Sequence, residues 1–226
     1  MTIQAMHNIP TARDLQRYDV VRRDSVEGVR QNLYDFQDYA AAGQTSLKFF
    51  QIPQGQGVGI GGGVKTLEDT NMELAGNLPN PKAFLMQGIE VLFFPAGAPM
   101  SIATAATAKN MTNDMWALCK RGWLELYISS KAYLQEAPLA KFPARNFMRV
   151  DSALAVANTN ATAISQLAME LPTMSGAPYK VMPPITLRPT MNFNVSLNWT
   201  TAVAMPSNSI ARIGVNLTGL LYRNGQ

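Results

Sequence analysis

Cysteine occurs once in this chain, at Cys119, and histidine once, at His7. One cysteine excludes an internal disulfide and any cysteine-rich metal site. One histidine leaves Ser-His-Asp or Cys-His catalysis dependent on a single N-terminal side chain, and it excludes the several-histidine metal centre of small β enzymes. Charge is scarce too. Asp, Glu, Lys and Arg make up 15% of the residues, against about a quarter in an ordinary globular protein. A folded chain with so little charge either meets other protein over much of its surface or covers itself with Asn, Gln, Ser and Thr. Long apolar runs are missing as well. The longest uncharged tract in the middle of the chain, 91–108, contains Pro95, Gly97 and Pro99 and turns to Ala, Ser and Thr in its second half. It reads as a strand running into a loop, not as a membrane helix. Residues 1–10 lack a basic start followed by an apolar run, so a cytosolic product is expected. There is no internal repeat and no strand–helix alternation of the kind a parallel sheet needs.

What is present is mostly β. With 226 residues and 24.7 kDa, the chain is long enough for one large all-β domain or two small ones. The segments 45–52, 83–94, 122–129, 185–199 and 211–222 are rich in aromatic and β-branched residues. In the last two, Met191, Phe193, Val195, Leu197 and Trp199 alternate with polar residues, as do Ile213, Val215 and Leu217. A period of two with one polar face marks half-buried antiparallel strands. The turn residues Pro206-Ser-Asn predict a hairpin connection between them. Long connections rich in Gly, Pro, Asn and Ala are expected over 53–66, 95–112, 136–147 and 171–184, and the whole reads as a β-sandwich of about eight strands.

Helical spacing is confined to two places. From Asp24, Val26, Val29, Leu33 and Phe36 fall near one face, with Asp24 as N-cap, Glu27 at the third helical position and Gly43 as the stop. This predicts an N-terminal arm over 1–44, carrying one amphipathic helix ahead of a β domain over 45–226. A second helix is expected over 160–170, from Ile164, Leu167, Ala168 and Leu171.

The glycine-rich stretch "QGQGVGIGGGVKT" (54–66) imitates two nucleotide-binding patterns. Gly57, Gly59 and Gly62 satisfy G-x-G-x-x-G, and Gly63-Val64-Lys65-Thr66 resembles the end of a Walker A loop. Val64 separates the glycine from the lysine, no helix-forming run follows, and no βαβ unit surrounds it. The stretch is therefore read as a flexible connection. Asp69 and Glu73 are the nearest carboxylate pair outside the predicted N-terminal helix, a spacing common on any surface. The chain is read as a non-enzyme that holds neither cofactor nor metal. The thirteen methionines are scattered and read as core gap-fillers. Trp123 and Trp199 lie in strand patterns and are expected in the core; Trp116 completes the set.

The net charge of +4 is unevenly spread. Between 120 and 149, Lys120, Arg121, Lys131, Lys141, Arg145 and Arg149 face only Glu125 and Glu136. These six residues are the candidate contacts to phosphate, of nucleic acid or of lipid headgroups, through nonspecific counterion release. The plainer reading is a solvated face.

Three segments carry a resemblance: "KTLEDTNMELAGNLPNPKAFLMQGIEVLFFP" (65–95), "RGWLELYISSKAYLQEAPLAKFPA" (121–144) and "MNFNVSLNWTTAVAMPSNSIARIGVNLTGLLYRNGQ" (191–226). Together they resemble major capsid proteins of small tailless icosahedral bacteriophages. The resemblance implies a jelly-roll fold, and the strand count favours a single jelly roll with the N-terminal helical arm over a double one. It further implies self-assembly of many copies into an icosahedral virion shell, made in the host cytoplasm. Partner virion proteins such as a vertex protein, and nucleic acid or membrane lipid at the inner surface, follow from the same likeness. The alternative from another class is a carbohydrate- or receptor-binding β-sandwich, the head of a spike or adhesin.

Overall fold

The alternating segments near the C-terminal end fold as they read. The computed structural model of the protein describes residues 26–94, 114–142, 147–156, 165–173 and 177–224. Within them the strands are β1 (Val26–Arg30), β2 (Leu33–Tyr39), β3 (Ser46–Phe49), β4 (Ala83–Phe94), β5 (Trp123–Ile128), β6 (Lys131–Glu136), β7 (Phe147–Val156), β8 (Ser165–Thr173), β9 (Tyr179–Leu187), β10 (Phe193–Asn198) and β11 (Ala211–Asn224). β10 buries Phe193, Val195 and Leu197, and β11 buries Ile213, Val215 and Leu217, all at 1% exposure or less. Between them Asn194, Asn198 and Asn216 stay half-buried, which is the polar alternation that a half-buried strand requires.

The strands form an all-β sandwich of two antiparallel sheets. The first runs β1/β2–β11–β4–β9 and the second β3–β10–β5–β6. β1 pairs with the far end of β11 (220–224) and β2 with its beginning (211–217), so the two behave as one edge strand interrupted at Gln31–Asn32. Apart from the β5–β6 hairpin, each step along the main strands from β2 to β11 changes sheet. β7 and β8 pair only with each other, as a separate two-stranded ribbon between β6 and β9 in the chain. Phe49, Phe93, Leu126, Val195 and Val215 meet in the core between the main sheets. Each such side chain contributes roughly 1.5–3 kcal/mol by leaving water.

A short helix over 114–119 closes one end of the core. Asp114 accepts hydrogen bonds from the Ser207 backbone N–H (2.8 Å) and hydroxyl. At the other end of the helix Trp199 Nε1–H donates to the Leu118 carbonyl at 3.2 Å. Trp199 in turn meets the Tyr39 ring edge-on at 5.5 Å. Cys119, the last residue of this helix, is buried, and burial pushes its thiol up to about 12.

Several expectations are corrected. Residues 26–39 are strands, so no amphipathic helix runs from Asp24 through this stretch, and a domain boundary at residue 44 would separate strands from their own sheet. The 3-to-4 spacing of Val26, Val29, Leu33 and Phe36 was a coincidence of a β-rich segment. In β2 the buried positions are Leu33, Asp35 and Tyr39, and the aspartate among them hides the period of two. The helix expected over 160–170 is β8 from Ser165 onward, and 157–164 lie outside the described residues. The expected connection 171–184 contains the end of β8 and the start of β9. β6 and β7 were not foreseen. Trp199 is in the core at 3% exposure, but Trp123 is only half-buried and Trp116 is 60% exposed.

Phe93→Ala should destabilise the protein by about 3–5 kcal/mol in denaturant unfolding, because the ring is fully buried between the sheets. A water-soluble disulfide reagent at mildly alkaline pH should leave Cys119 unmodified in the folded protein and label it fully in concentrated guanidinium. Prompt labelling without denaturant would show that the 114–119 helix does not shield the thiol.

Candidate functional site

The glycine-rich stretch is held in place by two carboxylates. Asp35 sits at an inward position of β2, fully buried, and the Lys65 ammonium at the end of the stretch reaches in to pair with it at 1% exposure. The second oxygen of Asp35 accepts the Phe50 backbone N–H at 2.6 Å. Phe50 needs that bond, because its backbone is left-handed at φ 68, a conformation costly for an aromatic residue. Its carbonyl accepts the Gly76 N–H at 2.7 Å, and its ring packs on Phe193. Asp69 fixes the rest of the stretch: Oδ1 accepts the Ile60 N–H at 3.3 Å and Oδ2 the Thr66 N–H at 2.9 Å. Gly59 leaves no room for a side chain there, since a Cβ would come within 2.7 Å of Asp69 Oδ2 and 2.8 Å of the Val64 carbonyl. The reading as a flexible connection is therefore corrected. Lys65 belongs to a buried ion pair and is not presented to a phosphate.

The same return segment seals the sheet. Phe36 N–H donates to the Asp69 carbonyl at 2.8 Å, Asp35 and Thr70 form a β-bridge, and Tyr34 N–H donates to Asn71 Oδ1 at 3.0 Å. The outer edge of β2, which would otherwise offer open backbone groups, is thus occupied. Asp69 and Glu73 do not form an acid–base pair. Asp69 is spent on the loop, and Glu73 pairs with Lys82 at the surface.

Of the six basic candidates, Lys120, Arg121, Lys131 and Lys141 do not converge on one patch. Lys120 and Arg121 are exposed just before β5, at the end of the β5–β6 hairpin where β6 finishes. Lys141 lies near that end but is paired with Glu136, which also accepts the Tyr179 hydroxyl at 3.1 Å. The hydrogen bond from Lys141, then that from Tyr179, holds the Glu136 carboxyl below its usual range. Lys131 begins β6 at the opposite end of the hairpin, five residues or about 17 Å away along the strand, with its ammonium 5.7 Å from the Tyr133 ring centroid. Arg149 lies in β7, and Arg145 lies outside the described residues.

Among the described residues, two of the larger grooves stand as candidate sites. One, of about 650 Å³, opens where the edge strands β6 and β9 face each other; Tyr133, Leu134, Met182, Ile185 and Met191 line it, with Lys180 and Arg188 as its cations. The other, of about 630 Å³, lies on the outer face of the first sheet over β2 and β11, beside the segment 67–71. Sequence spacing concealed both, because each joins residues from strands far apart in the chain. Among the described residues no group of three or more His, Cys, Asp or Glu side chains is placed to hold a metal ion.

Burial pushes the Asp35 carboxyl up, and the charge and hydrogen bond of Lys65 are the main forces pulling it back. Lys65→Met should therefore cost about 3–5 kcal/mol at neutral pH by stranding a buried carboxylate. A carboxyl whose folded pKa is raised destabilises the fold as pH rises through that value. The cost of Lys65→Met should accordingly shrink as pH falls through that raised value and be gone by about pH 4, and adding Asp35→Asn should return part of it at pH 7. Unfolding curves at two pH values for the three variants check this. No protein-family model matches the chain, and no curated protein or solved structure matches it either.

Proposed function

We propose that this chain is a single jelly roll and the major capsid protein of an icosahedral shell. The observation that carries the proposal is the strand order. From β2 onward, the main strands in chain order take up the spatial sequences first–eighth–third–sixth in one sheet and second–seventh–fourth–fifth in the other. Two interlocked four-strand keys of this kind are the jelly-roll arrangement, widespread in viral capsid and lectin domains. The likeness of three segments to capsid proteins of small tailless icosahedral phages selects the first of these.

The distribution of exposed apolar side chains supports the same reading. Val58, Val64 and Leu67 project from the long β3–β4 connection beside β2, while Tyr133 and Met182 project at the opposite edge of the sandwich, by β6 and β9. Opposite edges of a four-strand sheet lie three strand spacings apart, about 14 Å. A third site is Trp116 on the short helix, 60% exposed. A binding head concentrates its apolar surface in one patch, whereas a shell subunit has neighbours on several sides. Copies of the chain are the main partner in this reading, with a vertex protein at positions of different symmetry. The scattered placement of Lys120, Arg121, Lys131 and Lys141 favours diffuse, nonspecific contact with nucleic acid or lipid over a single basic site.

Negative-stain electron microscopy and light scattering on protein purified without denaturant test the proposal. Uniform closed particles, tens of nanometres across, are expected. A monomer or small ring at every salt and protein concentration would overturn it and favour the saccharide- or receptor-binding head.

A further inference from the structure

The glycine-rich connection forms an apolar prominence on an ordered backbone. Its two limbs run side by side: Gly55 N–H donates to the Lys65 carbonyl at 2.7 Å, and Gly59 N–H to the Gly63 carbonyl at 2.5 Å. Asp69 ties them down through the Ile60 and Thr66 amides, and the Tyr34 hydroxyl donates to the Leu67 carbonyl at 2.5 Å. On this frame Val58, Val64 and Leu67 are 59–71% exposed. Aliphatic groups left open to water on an ordered loop mark a contact surface. The charge beside them has one sign. Lys65 is turned into the core, so Glu68 is the charged group that residues 54–68 present to solvent. Its carboxylate lies 3.9 Å from the Arg212 guanidinium, beyond hydrogen-bond distance.

The opposite edge of the sandwich carries the converse. There the two sheets end in β6 and β9, and the 650 Å³ groove lies between them. Leu134, Val181, Ile185 and Met191 make its lining apolar, and Tyr133 and Met182 in that lining are exposed. Lys180 and Arg188 are its charged lining residues, and no carboxylate lines it. Glu136, which accepts the Tyr179 hydroxyl, is itself paired with Lys141. Pro183 and Pro184 remove two backbone donors from β9, which discourages a further strand from adding to that edge. Recognition in the groove is left to side chains.

We propose that the prominence of one copy seats in the β6–β9 groove of a second copy. Both surfaces are apolar, and the acid beside the prominence meets the cations of the groove, a complementarity that selects this pairing over others. Strand order sets the two on opposite edges of one sandwich. A copy therefore does not fill its own groove, and the contact runs head to tail. The connection is ordered before it docks, so docking costs little conformational entropy. This inference rests on the reading of the chain as self-assembling and names the surfaces through which copies meet. The contact itself needs only two copies, whether or not a closed shell results.

Disulfide trapping between full-length copies tests the contact. Val64→Cys in one preparation and Met182→Cys in another replace exposed side chains, while the native Cys119 is buried. Under mild oxidation this mixed pair should cross-link about fivefold faster, or more, than Val64→Cys mixed with Trp116→Cys, a thiol at a third exposed position. Adding Lys180→Glu to the Met182→Cys copy should slow the cross-link about fivefold, the scale of one exposed ion pair. Adding Glu68→Lys to the Val64→Cys copy should then restore it. Unchanged denaturation midpoints report that each variant is folded. Fast cross-linking with charge rescue but no closed particles would support the contact and count against the shell alone. Cross-linking no faster than the control, or indifferent to both charge changes, would overturn the contact, and closed particles seen alongside would leave the shell reading standing. Neither cross-links nor particles would overturn both.

Discussion

The carboxylate of Asp35 is the point on which one edge of the sandwich depends. It lies in the core, yet it takes the ammonium of Lys65 on one oxygen and the amide of Phe50 on the other. Through Lys65 it fixes the end of the glycine-rich stretch, and through Phe50 it fixes the sharp exit of the chain from β3. Both segments then lie against β2, and the return segment 69–71 completes its edge. A buried ion pair adds little net stability over an apolar replacement, because each charge has left water. Its value here is geometric: it permits only one path for a long, glycine-rich connection that has few side chains to pack.

That arrangement explains why a stretch with the composition of a nucleotide loop is not shaped as a phosphate cradle. A phosphate cradle directs backbone N–H groups and a lysine outward to the ligand. In this protein the Ile60 and Thr66 amides point to Asp69, and the lysine points to the core. Six glycines allow the tight turns that bring these groups inward, several of them with left-handed backbone.

Much of the sandwich was legible in the sequence where burial is one-sided or complete. β4 was read with its full extent, 83–94, and β5 and β11 within two residues, while the single segment 185–199 holds β10 together with the end of β9; apolar runs and strict alternation leave little choice. The misreadings have separate causes. β2 carries a charged residue at an inward position, so its alternation is broken where it matters. β6 is exposed at most of its positions and shows no apolar stripe. β9 contains Pro183 and Pro184, which are tolerated because it is an edge strand, though proline in a run argues against a strand when only the sequence is known. The candidate sites were less visible still. The six basic residues were found by proximity along the chain, and folding distributes Lys120, Arg121, Lys131 and Lys141 between the two ends of the β5–β6 hairpin. The groove over β2 and β11 was not foreseen at all, since its residues become neighbours only when β2, β11 and β4 are paired in register.

The place of β11 in the first sheet has a consequence for how the protein is made. It is the longest of the described strands, it lies between β4 and the β1/β2 edge, and it comes last in the chain among them. Glu27 and Arg223, partners across β1 and β11, are 196 residues apart. During synthesis the β1/β2 edge and β4 must wait, with open backbone edges and apolar faces, until β11 has left the ribosome. Pairings of such long range are slow to form, and the waiting strands are open to association with other chains. A chain cut short before β11 therefore leaves the first sheet without its centre.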